Sequence, residues 1–202
     1  MRVLEAEETS MALNLTTRAE YKTHAGIKST TYDDEIDALI PRVSDFVKNY
    51  CRRSFVDYYT SNAPKIEYFN GGVDKFILKE PPVNTIISVQ TSDDYGQTYT
   101  NLTQYTDWVK DGDYIISLDK YIGVFKEKIR GYKVTYTAGY DDVPFDLELA
   151  VMDLISYYRK NDGAVHVNRD ITPNITQIQY VQTTSLPAHI RRVLDQYMAD
   201  YS

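Results

Sequence analysis

The clearest periodicity in the chain is an apolar stripe between residues 36 and 50. Asp33 to Glu35 precede the stripe, and Arg52 and Arg53 follow it, so the charges complement the helix dipole at both ends. The spacing predicts a long amphipathic helix. Its apolar members fall on one helical face: Ile36, Leu39, Ile40, Val43, Phe46, Val47 and Tyr50.

Three other segments also have a helical pattern. A short helix is predicted near residues 16–21, with Thr16 or Thr17 as the N-cap and Gly26 as the left-handed stop. A longer helix follows Pro144, and a last helix opens near residues 185–187. Their stripes are Leu147, Ala150, Val151, Leu154 and Tyr158, and then Ile190, Val193, Leu194, Tyr197, Met198 and Tyr201.

Between residues 56 and 140 the pattern changes to short runs typical of strands. Asn70-Gly71-Gly72 predicts a hairpin-type turn between the first two runs, and Asp111-Gly112-Asp113 predicts a second hairpin. The runs are Lys65–Phe69, Phe76–Leu78, Ile86–Gln90, Trp108–Val109, Tyr114–Ile116 and Tyr132–Thr137.

These elements predict an α+β protein, a small α-helical bundle with an inserted antiparallel β module. The helical core is expected over residues 13–55 and 141–202, and the β-rich module over 56–140. Residues 1–12 are acidic and weakly periodic and are interpreted as an N-terminal arm. Residues 161–184, rich in Asn, Thr and Gln, are interpreted as an extended loop within the core.

Charge, cysteine content and hydropathy argue against several classes of function. The net charge of −7 argues against a protein that grips nucleic acid through clustered cations. The single Cys51 excludes an intramolecular disulfide, and a buried thiol is expected there. No apolar run reaches membrane-spanning length, so we expect no membrane contact and synthesis in a reducing cytoplasm. The 19 tyrosines suit half-buried strands and wet interfaces.

Candidate chemistry is sparse. His24, His166 and His189 lie in different segments with no metal-ligand spacing. The paired aspartates near residues 93 and 111 stand where turns favour Asp for backbone reasons, and Gly71-Gly72 lacks the context of a phosphate-binding loop. The sequence therefore predicts no catalytic residues, no cofactor and no metal. A catalytic set of Ser, His and Asp or of Cys and His stays open, because its members could be distant in sequence and meet only in the fold.

The adjacent basic pair Arg191-Arg192 flanks the stripe of the last helix. Two readings are open: solvated helix residues, or a pair that faces a partner and forms forked bonds to carboxylates. Under the second reading, the arginine pair, the tyrosines of the last helix and two residues of the polar loop are predicted to form an interface with a partner. They are Arg191, Arg192, Tyr197, Tyr201, Asn174 and Tyr180.

Two stretches resemble the head–tail adaptor (connector) proteins of tailed bacteriophages. The first runs from Asp33 through Val47-Lys48-Asn49-Tyr50-Cys51-Arg52-Arg53-Ser54-Phe55. The second runs from Val134-Thr135-Tyr136-Thr137-Ala138-Gly139-Tyr140 through Val143-Pro144 to Val151. Leu186-Pro187 before the last helix is similar to the family's terminal helix. In the second stretch, Gly139 can adopt a positive φ that turns the strand away from its sheet.

The resemblance implies a structural virion protein at the neck. Such a protein forms a ring, commonly of twelve copies, beneath the portal protein, extends the DNA channel and docks the tail or a stopper. DNA passes through the lumen without specific binding. Two alternatives stay open: another neck or tail component, such as a tail terminator or a stopper, and a host-type binding module or unrecognised hydrolase.

Overall fold

The computed structural model describes residues 13–119, 123–160 and 186–199. It confirms the α+β class. The helices are α1 (Arg18–His24), α2 (Asp33–Cys51), α3 (Phe145–Lys160) and α4 (Ala188–Gln196). The strands are β1 (Lys65–Phe69), β2 (Lys75–Ile77), β3 (Val83–Thr91), β4 (Thr100–Asn101), β5 (Trp108–Asp111), β6 (Tyr114–Ser117) and β7 (Tyr132–Ala138).

The chain divides into two compact units. A helical unit contains Asn14–Cys51 and Val143–Met198, and a β unit contains Arg52–Asp142 together with Leu13 and Ala199. The predicted arm (1–12) and extended loop (161–184) lie outside the described residues.

In the helical unit, the predicted stripe of α2 faces the core. Ile36, Ile40, Val43 and Val47 are buried, because residues three and four apart share one face of a helix. Thr17, one of the two predicted N-cap residues, caps helix α1, and it does so within a capping box. Thr17 accepts from the Glu20 N–H, and the Glu20 carboxylate accepts from the Thr17 N–H. The core of the unit is completed by Leu15, Tyr21, Leu147, Val151, Leu154, Ile155, Ile190 and Leu194.

One local prediction in the helical unit needs correction. The last helix is shorter than its apolar stripe indicated, because it ends at Gln196 and Tyr197 occupies the C-cap. Met198 therefore follows the helix. The Cys51 thiol is buried as predicted, and its sulfur lies 3.5 Å from the Leu194 carbonyl oxygen.

The β unit contains two antiparallel sheets. The first has four strands in the order β1-β7-β3-β4, and the second has three in the order β2-β6-β5. One apolar core includes residues of both sheets. Its aromatic members stack closely, with the Phe76 and Phe125 ring centroids 4.0 Å apart. The Asp111-Gly112-Asp113 hairpin joins β5 to β6 as predicted, with a positive φ at Gly112.

The predicted hairpin at Asn70-Gly71-Gly72 is wrong. Strands β1 and β2 do not pair with each other: β1 pairs with β7, and β2 pairs with β6. The glycines instead allow a close backbone contact, since a Cβ at Gly71 would lie 1.7 Å from the Lys126 carbonyl oxygen. The Gly71 N–H donates to the Lys128 carbonyl oxygen, and the Gly72 N–H donates to the Phe125 carbonyl oxygen.

The passage out of β7 depends on Gly139. Its φ is +89°, as the sequence predicted, and a Cβ there would lie 1.9 Å from the Phe55 carbonyl oxygen. The same Phe55 carbonyl accepts from the Tyr140 N–H at 2.7 Å, and the Gly139 N–H donates to Pro82. Glycine is therefore required both for the backbone angle and for the space.

Candidate assembly surfaces

Three of the six predicted interface residues lie in the described part of the chain. Arg191 and Arg192 are exposed on α4, and Tyr197 is at its C-cap. Tyr201, Asn174 and Tyr180 lie outside the described residues. The structure therefore places Arg191, Arg192 and Tyr197 on one short segment.

The two arginines differ in their surroundings. The Arg191 Nε lies 3.8 Å from the Asp195 carboxylate, and that carboxylate also accepts from the Tyr50 hydroxyl at 2.6 Å. The hydrogen bond to Asp195 raises the pKa of Tyr50, because it stabilises the protonated phenol. Arg192 forms no ion pair with any described residue. Arg192 is thus the better placed of the pair to contact a partner.

Helix α3 has an exposed apolar start. Phe145 is 89% exposed and Leu149, one turn later, is 47% exposed. Beside them, the Tyr197 hydroxyl donates 2.6 Å to the Asp146 carboxylate, which joins the end of α4 to the start of α3. Exposed phenylalanine and tyrosine side chains are enriched at protein interfaces.

A second surface, on the four-stranded sheet, was missed by sequence reasoning. We call it the tyrosine–arginine face; it consists of Tyr68, Tyr99, Arg130 and Lys133. The Arg130 guanidinium lies 4.7 Å from the Tyr68 ring centroid, and the Lys133 ammonium lies 5.6 Å from the Tyr99 centroid. The two rings are 6.1 Å apart. Burial raises the pKa of Tyr99, whose hydroxyl donates to the Arg130 carbonyl.

One local signal could have indicated this face. In β1, exposed Ile66 and Tyr68 alternate with buried Glu67, which places an isoleucine and a tyrosine on the outer side of the sheet. The cations come from residues 130 and 133, and only the pairing of Tyr68 with Lys133 across β1 and β7 brings them to the tyrosines.

The β unit also buries ionisable groups. Glu67 and Glu80 are 7% and 4% exposed, and the Tyr136 hydroxyl donates 2.6 Å to Glu67. Burial raises the pKa of Glu80 despite the backbone N–H donors of Ser54 and Phe55. Burial also raises the pKa of Tyr136, and the nearby Glu67 carboxylate adds to the shift. One Glu67 oxygen has no hydrogen-bond partner among the described residues.

In the helical unit the structure brings two of the three histidines to one carboxylate. The Nε2 of His24 lies 3.3 Å from one oxygen of Asp153, and that of His189 lies 3.9 Å from the other. His24 and Asp153 line a groove of about 650 Å³ with Tyr21, Tyr32 and Arg159. Residues 13–119, 123–160 and 186–199 contain no group of three or more side chains able to hold a metal ion. His166 lies outside these ranges.

None of the described helices is long and apolar enough to cross a lipid bilayer.

Comparison of the sequence with known proteins gives two findings. The model of the head completion protein family matches residues 14–199. The sequence has no significant match among curated proteins.

Solved structures with a similar fold come from gene transfer agent particles. The neck of an empty particle, computed with C6 symmetry, matches with a TM-score of 0.59 and 16% identity, covering 96% of this chain and 92% of that one. The neck of a native particle, computed with C12 symmetry, matches with a TM-score of 0.52 and 14% identity, covering 95% of this chain and 97% of that one. The virion of the native particle matches with a TM-score of 0.56 and 14% identity, covering 96% of this chain and 93% of that one.

Proposed function

Because the chain belongs to the head completion protein family, we propose that it acts as the adaptor ring beneath the portal protein of a virion. The family membership confirms the prediction of a structural protein of the head–tail neck. We further propose that the chain forms a ring of twelve copies and that this ring binds the portal protein and the tail or a stopper. The family match over residues 14–199 is the observation that carries it.

A ring of twelve copies is supported by the symmetry of the neck structures with a similar fold, which were computed with C6 and C12 symmetry. A closed ring needs heterologous interfaces, in which two different surfaces of each copy meet. The chain offers distinct exposed surfaces of suitable composition: the start of α3 with Phe145, and the tyrosine–arginine face. The net charge of −7 suits a lumen through which DNA slides without being held.

On this proposal Arg192 and Tyr197 contact a neighbouring copy or the portal, together with Tyr201, Asn174 and Tyr180. Arg191 contributes less, because Asp195 already pairs with it. The helical core (13–55 and 141–202) forms the frame of the ring, and the module 56–140 presents the docking surface for the tail or stopper.

Head completion in vitro tests the function. Heads that lack this protein are filled with DNA, mixed with the purified chain and then with tails, and infectious or DNA-delivering particles are counted. We expect the wild-type chain to restore particles. Arg192→Glu should reduce them more than Arg191→Glu, its matched control on the same helix. Heads that join tails equally well without the chain would contradict the proposal.

A further inference from the structure

The four-stranded sheet has a regular edge at strand β1. One side of β1 pairs with β7 in unbroken register over Lys65–Phe69, and no described strand pairs with its other side. The opposite end of the sheet differs, because β3 contains two register irregularities and β4 has only two residues. Bulges and very short strands protect a sheet edge, whereas a regular strand presents its free backbone N–H and C=O groups. Strand β1 is therefore the edge suited to receive a further strand.

The side chains of β1 do not guard this edge. Natural edges are often protected by an outward lysine. The one lysine of β1, Lys65, instead lies on Tyr58, with its ammonium 4.4 Å from the ring centroid and donating to the hydroxyl at 3.3 Å. Ile66 and Tyr68 are 45% and 46% exposed. The edge is thus bordered by exposed apolar surface.

The cations beside this edge have no acidic partner among the described residues. Neither Arg130 nor Lys133 forms an ion pair with a described carboxylate, and both lie over tyrosine rings instead. Lys133 is the direct cross-strand partner of Tyr68, so both side chains are on the same face of the sheet. A tyrosine ring orients a cation without neutralising it. The two charges therefore stay available to a ligand.

The carboxylates of the neighbouring loop are already engaged. Asp93 pairs with Lys128 at 2.7 Å. Asp94 accepts from the Thr98 N–H at 2.8 Å and from the Gln97 N–H at 3.0 Å, so its carboxylate closes its own turn. The acidic complement of the tyrosine–arginine face can therefore come from another molecule.

A protein segment fits this surface better than DNA does. Tight binding to DNA needs many phosphate contacts, whereas this face presents two available cations on a chain with a net charge of −7. An open strand edge offers backbone hydrogen bonds, which an extended peptide can form. The ligand class is thus an extended peptide segment that carries carboxylates.

We propose that the β1 edge binds an extended acidic segment of a partner protein, which adds a fifth strand to the sheet and sets its carboxylates against Arg130 and Lys133. A residue opposite Tyr68 in the added strand would have its Cβ about 5 Å from that of Tyr68, within reach of the guanidinium over the ring. Backbone pairing supplies affinity, and the two cations select acidic side chains. In the neck, the tail or a stopper would supply the segment, an assignment that rests on the proposed function.

NMR spectroscopy of the isotope-labelled full-length chain tests this inference with two synthetic peptides. One alternates glutamate with valine over about ten residues, enough to pass the whole of β1. The other carries lysine in place of every glutamate. We expect the acidic peptide to shift the amide signals of residues 65–69 and to bind about tenfold more tightly than the lysine peptide, the size expected for two partly exposed charge contacts. Arg130→Glu with Lys133→Glu should reverse this preference.

Three controls separate the possible causes of binding. Lys75→Glu removes a cation that lies 4.8 Å from the Tyr114 ring on the three-stranded sheet, and it should leave the preference unchanged. The amide signals of β7 report whether each variant is folded. A third peptide, with proline in place of every valine, keeps the carboxylates but loses backbone N–H donors, so it should not bind.

Unshifted β1 amides at millimolar acidic peptide, or equal binding of the acidic and lysine peptides, would overturn the inference. Equal binding of the proline peptide would also overturn it, because charge alone would then account for the contact. So would tighter binding of a short DNA duplex to this face, or β1 shifts that appear without peptide as the chain is concentrated, since a second copy would then occupy the edge. A chain that binds the acidic peptide but fails in head completion would contradict only the proposed function.

Discussion

The two units of the molecule hold their cations in different ways. In the helical unit cations pair with carboxylates: Arg18 with Asp37 at 2.6 Å, Lys22 with Asp33 at 2.6 Å, and Arg159 with Glu35 at 3.1 Å. Among the described residues of the β unit, four cations lie over tyrosine rings: Lys65 over Tyr58, Lys75 over Tyr114, Arg130 over Tyr68 and Lys133 over Tyr99. Lys128 pairs with Asp93 and also lies over Tyr132, and Arg159 also lies over Tyr32.

This difference explains part of the unusual tyrosine content. A carboxylate neutralises a cation, whereas a tyrosine ring positions it and leaves its charge available. The helical unit therefore presents mostly neutralised pairs, and the β unit presents oriented positive charges on an acidic protein. Surfaces for acidic partners are thus expected on the β unit.

The largest effect is expected from Gly139→Ala in the β unit. The new Cβ would collide with the Phe55 carbonyl and the φ of +89° would strain alanine, so we expect a loss of about 3 kcal/mol or more. Urea unfolding measures it. Gly112→Ala is the control: its φ is +56° but no atom lies within 4 Å, so about 1–2 kcal/mol is expected from strain alone. Equal losses in the two variants would refute the steric account.

Next in size, Thr17→Ala in the helical unit should cost about 1 kcal/mol, since it removes the side-chain oxygen that caps α1. Thr17→Ser keeps that oxygen and should cost a small part of it. Thermal unfolding followed by circular dichroism at 222 nm compares the two. If alanine and serine behave alike, the capping box contributes nothing measurable.

Double-mutant cycles sharpen the comparison between the units. The coupling of Arg18 with Asp37 and that of Arg130 with Tyr68 should each be about 0.5 kcal/mol. Raising the salt from 20 mM to 0.5 M should screen the exposed ion pair more strongly than the cation–π pair. The same salt dependence in both cycles would contradict this difference between the two units.

The last prediction concerns pH. Burial raises the pKa of Glu80 above its unfolded value, so its contribution to stability is fully present below that unfolded value and is lost as pH rises through the folded pKa. Glu80→Gln should remove this dependence and flatten the curve of unfolding free energy against pH above about 4.5. Exposed Glu127→Gln serves as the control. A slope that persists in Glu80→Gln would assign it to another group.

Local sequence signals predicted much of the fold. They failed where the structure depends on contacts between residues that are distant in the sequence. The α2 stripe and the Asp111-Gly112-Asp113 hairpin depend on neighbouring residues, and both are observed. Asn70-Gly71-Gly72 looks like a hairpin but serves a close contact with Lys126, more than fifty residues away. The tyrosine–arginine face escaped notice for the same reason, because Tyr68 and Arg130 meet only through the pairing of β1 with β7.

The most direct test of the central claim is native mass spectrometry of the purified chain mixed with the portal protein of the same particle. We predict one complex in which a closed ring of twelve copies is bound to the portal, whether or not the free chain is monomeric. Portal that stays unbound at micromolar concentrations of the chain, or that binds single copies without forming a ring, would contradict the account.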